Sequence, residues 1–383
     1  MKALNSDVLA VVFDSFFPQQ LTPFFYVCKS WSKAAIQIYY NKIVLHENTN
    51  FTDILHNLLH IFHTGYYPYA SYIREVIILA YHVIPLNGHD KSIRNTLIYD
   101  VFQNCRNIQH FSWNRNRMEM TTMINLAHHW PMFQSHVLKS IDDPLEIELL
   151  KIICKSLKSL WYWDEKYKGR SLSKYIMVYP KLINLHISKF TTEFSLINKI
   201  NFPCLQRLCI ENSVVDFKSI PEMTSVTHLS LLQVSEMSSK LISSLSQYCP
   251  FLEAFELSDA SWTRVQAESL NNTNFNCLVS LKLLFNDHKN ANLYFDLPKL
   301  RSLTLVNAII TESDATTISQ LNKLEELKLR SISSDLSIFS IIIFKSKFTL
   351  KLLDFNGFFN FKLSNEHLCE LHSWNACIIL NDV

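Results

Sequence analysis

The stretch LINLHISKFTTEFSLINKINFPCLQRLCI (residues 182–210) carries one figure twice. An apolar residue is followed by two others, a second apolar residue, one other, and a third apolar residue. Leu182, Leu185 and Ile187 form the first copy, and Leu205, Leu208 and Ile210 the second. The last two apolar positions of each copy are two residues apart, so on an extended chain they share one face. Leu185 and Leu208 are 23 residues apart. A two-residue hairpin needs far less chain than this. A crossover of that length joins parallel strands instead.

The figure runs on in both directions. VTHLSL (Val226, Leu229, Leu231), LEAFEL (Leu252, Phe255, Leu257) and LVSLKL (Leu278, Leu281, Leu283) follow. LRSLTL (Leu300, Leu303, Leu305), LEELKL (Leu324, Leu327, Leu329) and LKLLDF (Leu350, Leu353, Phe355) come next. The central positions are 185, 208, 229, 255, 281, 303, 327 and 353, with successive gaps of 23, 21, 26, 26, 22, 24 and 26. Backwards, the register meets LKSLWY at Leu160, FQSHVL at His136 and IQHFSW at Phe111, with IREVII at Val76 a weaker copy. Forwards it meets WNACII, centred on Cys377. Three residues before the first apolar position stands another apolar side chain, as at Cys105, Trp130, Tyr179, Phe202, Met223 and Cys249, whereas Lys347 breaks the rule. Proline follows that position at 131, 180, 203, 250 and 298, where it stops a helix and lets a strand begin. Upstream segments such as LISSLSQYC, LIYDVFQNC and LEIELLKIIC have helical spacing. Each unit is therefore expected to be helix, turn and strand, stacked beside its neighbours.

The repeat resembles the leucine-rich-repeat family over roughly residues 100–383, and its Cys-Pro openings look most like the cysteine-containing subclass. The resemblance implies an α/β solenoid with parallel strands on the concave face and helices outside. The family carries Asn or Cys three residues after the third apolar position. Here Asn286 fits, while Ala260, Ala308 and Val234 leave turn amides in need of other partners.

The N-terminus poses a different question. From Leu4 to Leu45, 25 of 42 residues are apolar. Ser6 and Asp7 suit a helix start, and Val8, Leu9, Val12, Phe13 and Phe16 form a stripe behind them. The segment LNSDVLAVVFDSFFPQQLTPFFYVCKSWSKAAIQIYY resembles the F-box family, with Val-Cys-Lys-Ser-Trp its most specific string. Asn5 stands where that family has proline, and Pro23 moves the expected start of the second helix to near Thr22. The resemblance implies binding to a Skp-type adaptor and, through it, a cullin. The implied contact residues are Leu4, Val8, Leu9, Val12, Leu21, Val27, Cys28 and Trp31. The expected organisation is 1–45 F-box, 46–100 an irregular connecting region or atypical first repeat, and 101–383 the repeat array.

Other function classes find little footing. Net charge is +2, with no basic run to hold nucleic acid. Four glycines in 383 residues include no phosphate-cradling loop. Nine cysteines contain no CxxC pair, which suits reduced thiols. Asp7 and Asp14 interrupt what could be a leader, and no apolar run is long enough to span a membrane. A cytoplasmic or nuclear location is expected, with no membrane partner. His56, His60 and His63 share a helix face at a spacing that could hold a metal, but none is expected. No nucleophile elbow exists, and neither catalysis nor a cofactor is expected.

The concave face offers the remaining candidates. Side chains between the core leucines include Trp161 and Trp163, then His186, then Arg207. Tryptophan is enriched at binding hot spots. These four are the candidate substrate residues, although the two indoles could instead pack beneath the loop Asp164–Ser171. The reading is a non-catalytic substrate-recognition subunit of a cullin-type ubiquitin ligase that takes an unidentified protein target. Its alternative is a leucine-rich-repeat scaffold or inhibitor whose N-terminal helices only cap the array.

Overall fold

Alternation of apolar and polar residues decides which face of each strand is covered, and it does so here strand after strand. The computed structural model describes residues 9, 12–13, 16, 18–46, 50–65, 68–79, 88–112, 118–138, 143–163, 171–216, 222–234, 239–258, 264–271, 275–294, 296–333, 338, 341–342, 349–356 and 377–381. The chain falls into two compact units, Met1–Leu160 and Trp161–Val383.

In the first unit, β1 (Lys42–His46), β2 (Glu75–Leu79), β3 (His110–Ser112) and β4 (Ser135–Leu138) pair in parallel and in order, and β5 (Ser159–Trp163) straddles the division. Ile43 sits opposite Val76, and Val76 opposite Phe111. Before three of these strands one carbonyl accepts from two amides of the next. Asn41 takes Arg74 and Glu75, Arg74 takes Gln109 and His110, and Gln134 takes Lys158 and Ser159. Among the described residues the ladder includes β1 at Lys42–His46 and β2 at Glu75–Leu79, within the stretch expected to be an irregular connection or an atypical first repeat. The signal was present as Tyr40, Ile43 and Leu45, which carry the same spacing.

Helices Phe51–Thr64, Gly88–Phe102, Met120–Ala127 and Pro144–Ile153 connect these strands. The last begins well: Asp143 accepts from the Leu145 amide at 3.0 Å and Pro144 occupies the first turn. Trp130 is buried, donates its indole N–H to the Phe102 carbonyl at 3.1 Å, and packs on Phe111 and Phe133. The apolar residue before the strand is therefore a core anchor.

In the second unit, β6 (Asn184–Ser188), β8 (Arg207–Glu211), β10 (His228–Leu232), β11 (Ala254–Ser258), β12 (Ser280–Asn290), β13 (Ser302–Ile309), β14 (Glu326–Arg330), β15 (Leu352–Asn356) and β16 (Cys377–Asn381) pair in that order, all parallel. β7 (Thr191–Glu193) and β9 (Val214–Asp216) form a separate two-stranded sheet. The central positions read from sequence stand opposite one another: Leu185, Leu208, Leu229, Phe255, Leu281, Leu303, Leu327 and Leu353. Cys249, Phe255 and Leu257 are buried, and Glu256 is partly exposed, as the register requires.

Three expectations need correction. At the C-terminus Ile378, not Cys377, stands opposite Leu353, and Cys377 is exposed. A one-residue slip exchanges the two faces. This one places Ile378 and Leu380 in the rows of the core residues, a more apolar pair than Cys377 and Ile379. Second, not every crossover is helical. Helices Ser239–Tyr248, Arg264–Asn271 and Glu312–Gln320 fill three of them. Between β6 and β10 the β-branched Thr191, Thr192, Val214 and Val215 favour the short β7 and β9 strands. Third, Ser188 and Ser258, which strand alternation puts on the same face as His186 and Glu256, are buried. Each ends its strand, and after Ser188 the chain turns through Lys189 at φ 64°.

That turn recurs. Lys189, Asn212, Gln233, Asn307 and Ser331 all have positive φ, each two residues after a third apolar position. The amides of the first three donate to the Glu211, Leu232 and Ser258 carbonyls. Here are the partners that the missing asparagines left in question. Ser213 adds one more: it accepts from the Phe190 amide at 3.2 Å and donates to the Glu211 carbonyl at 2.7 Å. Ala308 and Val234 at the equivalent positions are buried as apolar filler. Ala260 and the Asn286 side chain lie outside the described set.

Candidate protein-interaction surfaces

Part of the apolar N-terminal stretch is covered by itself. Leu9, Phe13, Leu21, Ala34 and Ala35 form a core, with Phe24, Phe25, Trp31, Ile38 and Tyr39 packed against it. Phe13 stacks on Phe24 at 4.7 Å between ring centroids and meets Trp31 edge-on at 5.5 Å. The second helix is Lys29–Tyr39, and Pro18–Tyr26 is a 3-10 helix. The expected α-helix from near Thr22 does not form. Pro23 lacks the N–H that an α-helical ladder needs at that position.

The implied adaptor residues divide between two environments. Leu9 and Leu21 are buried, and Trp31 is half-buried at the edge of that core. Val12 (50 %), Val27 (57 %) and Cys28 are exposed, and beside them so are Phe16 and Tyr26, the latter at 85 %. Leu4 and Val8 lie outside the described residues. The stripe read from sequence is in fact split: Leu9 and Phe13 turn inward, Val12 and Phe16 outward. Tyr26 had no signal in the motif.

The second surface lies on the sheet of the Trp161–Val383 unit. Trp161 and Trp163 are 47 % and 41 % exposed, while Tyr162 between them is buried and hydrogen-bonded to the Tyr179 hydroxyl at 3.0 Å. Strand alternation thus holds the two indoles on one face. Trp161 stacks on His186, with centroids 5.1 Å apart and planes 20° from parallel. His186 Nε2 is 3.2 Å from Glu211 Oε2. The Lys189 ammonium lies 5.7 Å from the centre of the Trp163 ring, a cation–π pair. Arg207 is exposed at the start of β8 opposite Asn184, with His228 opposite it on the other side. Burial, then the charge of Arg207, lowers the pKa of His228 from 6.5. Burial, then Glu211 and Glu256, pushes the Cys209 thiol up to about 12. The four sequence candidates therefore share one region, and Lys189 and Glu211 complete it. The loop at 164–170, considered as a cover for the indoles, lies outside the described residues.

Further along the face the charges are matched. Lys282 pairs with Glu256, which also accepts from Ser230. Lys328 pairs with Glu326, and Arg330 with the buried Asp354. Among the described residues no group of three His, Cys, Asp or Glu side chains could hold a metal ion. His56, His60 and His63 sit exposed along one helix. Among the described residues no helix is long and apolar enough to cross a membrane.

No family model matches the chain, and no curated protein matches it. Among solved structures it is similar to an internalin from Listeria monocytogenes, at 13 % identity and a TM-score of 0.45, covering 98 % of this chain and 93 % of that one. It is also similar to the TLR13 chain of a TLR13–ssRNA13 complex, at 13 % identity and a TM-score of 0.38, covering 90 % of this chain and 57 % of the other. Likenesses at these TM-scores carry no argument. The repeat and its in-register parallel ladder do: the fold is an α/β leucine-rich-repeat array.

Proposed function

We propose that the chain is a protein-binding leucine-rich-repeat module, and more specifically a non-catalytic substrate receptor of a cullin-type ubiquitin ligase. The observation that carries this reading is the split N-terminal stripe. A segment with the F-box string Val27, Cys28, Lys29, Ser30, Trp31 builds its own small core and still leaves Val12, Phe16, Tyr26 and Val27 in water. Fully burying each such side chain is worth about 1.5–3 kcal/mol, so a partner gains by covering them. A segment that merely capped the array would have little reason to keep that row outside. On this reading the Skp-type adaptor covers the row, and the repeat sheet holds a protein target. Ubiquitin transfer is then driven by proximity, since tethering raises the effective concentration of a target lysine near the charged carrier.

The test is affinity purification of the full chain from cells, followed by mass spectrometry, beside a Val12→Asp/Val27→Asp variant. Both positions are exposed, so the variant keeps its core. Adaptor and cullin recovered with the parent chain and lost from the variant is the expected result. Equal recovery from both, or none from either, leaves the N-terminal helices as a cap and the chain as a scaffold.

A further inference from the structure

We propose that the Trp161–Trp163 region binds a short acidic peptide segment bearing an aromatic or large aliphatic side chain. The inference rests on the protein-binding reading of the array and names the chemistry of what that array takes. Two observations carry it. The indoles are exposed, one stacked on His186 and the other with the Lys189 ammonium over its ring. And the charges here differ from those on the rest of the sheet. Lys282, Lys328, Arg330 and Lys351 each have a carboxylate partner. Arg207 and Lys189 have none among the described residues. Glu211 is engaged by His186, and Glu253 acts on His228, which stands opposite Arg207.

Geometry allows one ligand to reach both features. With parallel strands about 4.8 Å apart and about 3.3 Å per residue, the Cα atoms of Arg207 and His186 are roughly 8 Å apart. Trp161 lies one strand beyond His186, about 12 Å from Arg207 between Cα atoms, so a carboxylate two or three residues along an extended peptide from one lying on Trp161 comes within reach of the Arg207 fork, which suits bidentate contact. Lys189 serves a second carboxylate beside Trp163. A nucleic-acid strand, with a phosphate at every nucleotide, would need a longer basic track.

The test uses the full chain and an array of immobilised twelve-residue peptides, each with a central Phe flanked by zero to six Asp or Glu. Lys-flanked and Phe→Ala peptides serve as controls, and a ten-nucleotide oligouridine is offered as competitor. Binding is expected to rise with the number of carboxylates, to need the Phe, and to weaken with salt. Arg207→Glu/Lys189→Glu is expected to flatten the dependence on carboxylates. Trp161→Ala should weaken binding about thirtyfold, whereas Lys328→Ala should leave it unchanged. Circular dichroism melts establish that the variants fold. No dependence on carboxylates, equal binding by the charge-reversed variant, or displacement by oligouridine would each overturn the inference. The assay needs no adaptor, so failure of the ligase reading leaves its outcome readable, and the converse also holds.

Discussion

His136 stands in the row of core leucines, which looks like an error of register until its partner is seen. His136 Nε2 lies 3.0 Å from Glu146 Oε2, and both side chains are buried. The glutamate comes from the first turn of the Pro144–Ile153 helix, so the pair ties β4 to the crossover that follows it. Removing one member of a buried pair typically costs about 3–5 kcal/mol, whereas replacing both by apolar residues is often neutral or stabilising. Glu146→Ala should therefore lose that much in urea unfolding. A loss under about 1 kcal/mol for the single change would contradict the assignment.

Thiol chemistry offers a second check on single residues. Burial pushes Cys105 and Cys249 up to about 12, while Cys28 and Cys204 are exposed. Iodoacetamide at pH 8 should label Cys28 and Cys204 in the native chain, and Cys105 and Cys249 only after unfolding. On the sheet, Arg207→Ala should raise the pKa of His228, read by NMR, since Arg207 is the second cause of its lowering after burial. A histidine with a native pKa below 6.5 binds fewer protons folded than unfolded between the two values. In that window its contribution to stability therefore falls as pH falls.

At the scale of elements, the strands were legible because the signal has period two and recurs against the same neighbours. Leu185 through Leu353 could be placed by spacing alone. Crossovers were harder to read. A short polar segment with a few apolar residues can close as a helix or as the β7–β9 pair, and tertiary packing chooses. The turn chemistry was missed for a related reason. It was sought in a side chain, Asn or Cys, and is supplied mostly by backbone: a left-handed residue whose amide reaches the next strand. The N-terminal site was half legible. Motif residues named the segment, but only packing separates buried Leu9 and Leu21 from exposed Val12 and Val27. One helix gives a test at this scale. Thr311 caps Glu312–Gln320 in a reciprocal box with Asp314, and buried Asp314 also accepts from the Leu293 amide at 2.6 Å. Thr311→Ala should cost about 1 kcal/mol. Asp314→Ala should cost clearly more, because it also leaves the buried Leu293 amide unmet. Equal losses in thermal melts would show that the bond from the cap to Leu293 carries nothing.

At the scale of the whole molecule, the chain has two kinds of surface with different demands. The N-terminal one is apolar, with exposed Val12, Phe16, Tyr26 and Val27 over a small aromatic core. The sheet surface is a charged face on which, among the described residues, Lys282, Lys328 and Arg330 are paired with carboxylates, while Lys189 lies over the Trp163 indole. Repeat arrays depend mainly on neighbouring contacts, so a change at one surface should leave the other intact. The central claim is that the first surface holds an adaptor while the second holds a target. Its most direct measurement is calorimetric titration of the purified full chain with a purified Skp-type adaptor, repeated with Val12→Asp/Val27→Asp and with Trp161→Ala/Trp163→Ala. The account predicts adaptor binding by the parent chain and the tryptophan variant with equal affinity, and at least a thirtyfold loss in the valine variant, about 2 kcal/mol. No heat of binding with the parent chain, or an unchanged affinity in the valine variant, would contradict it.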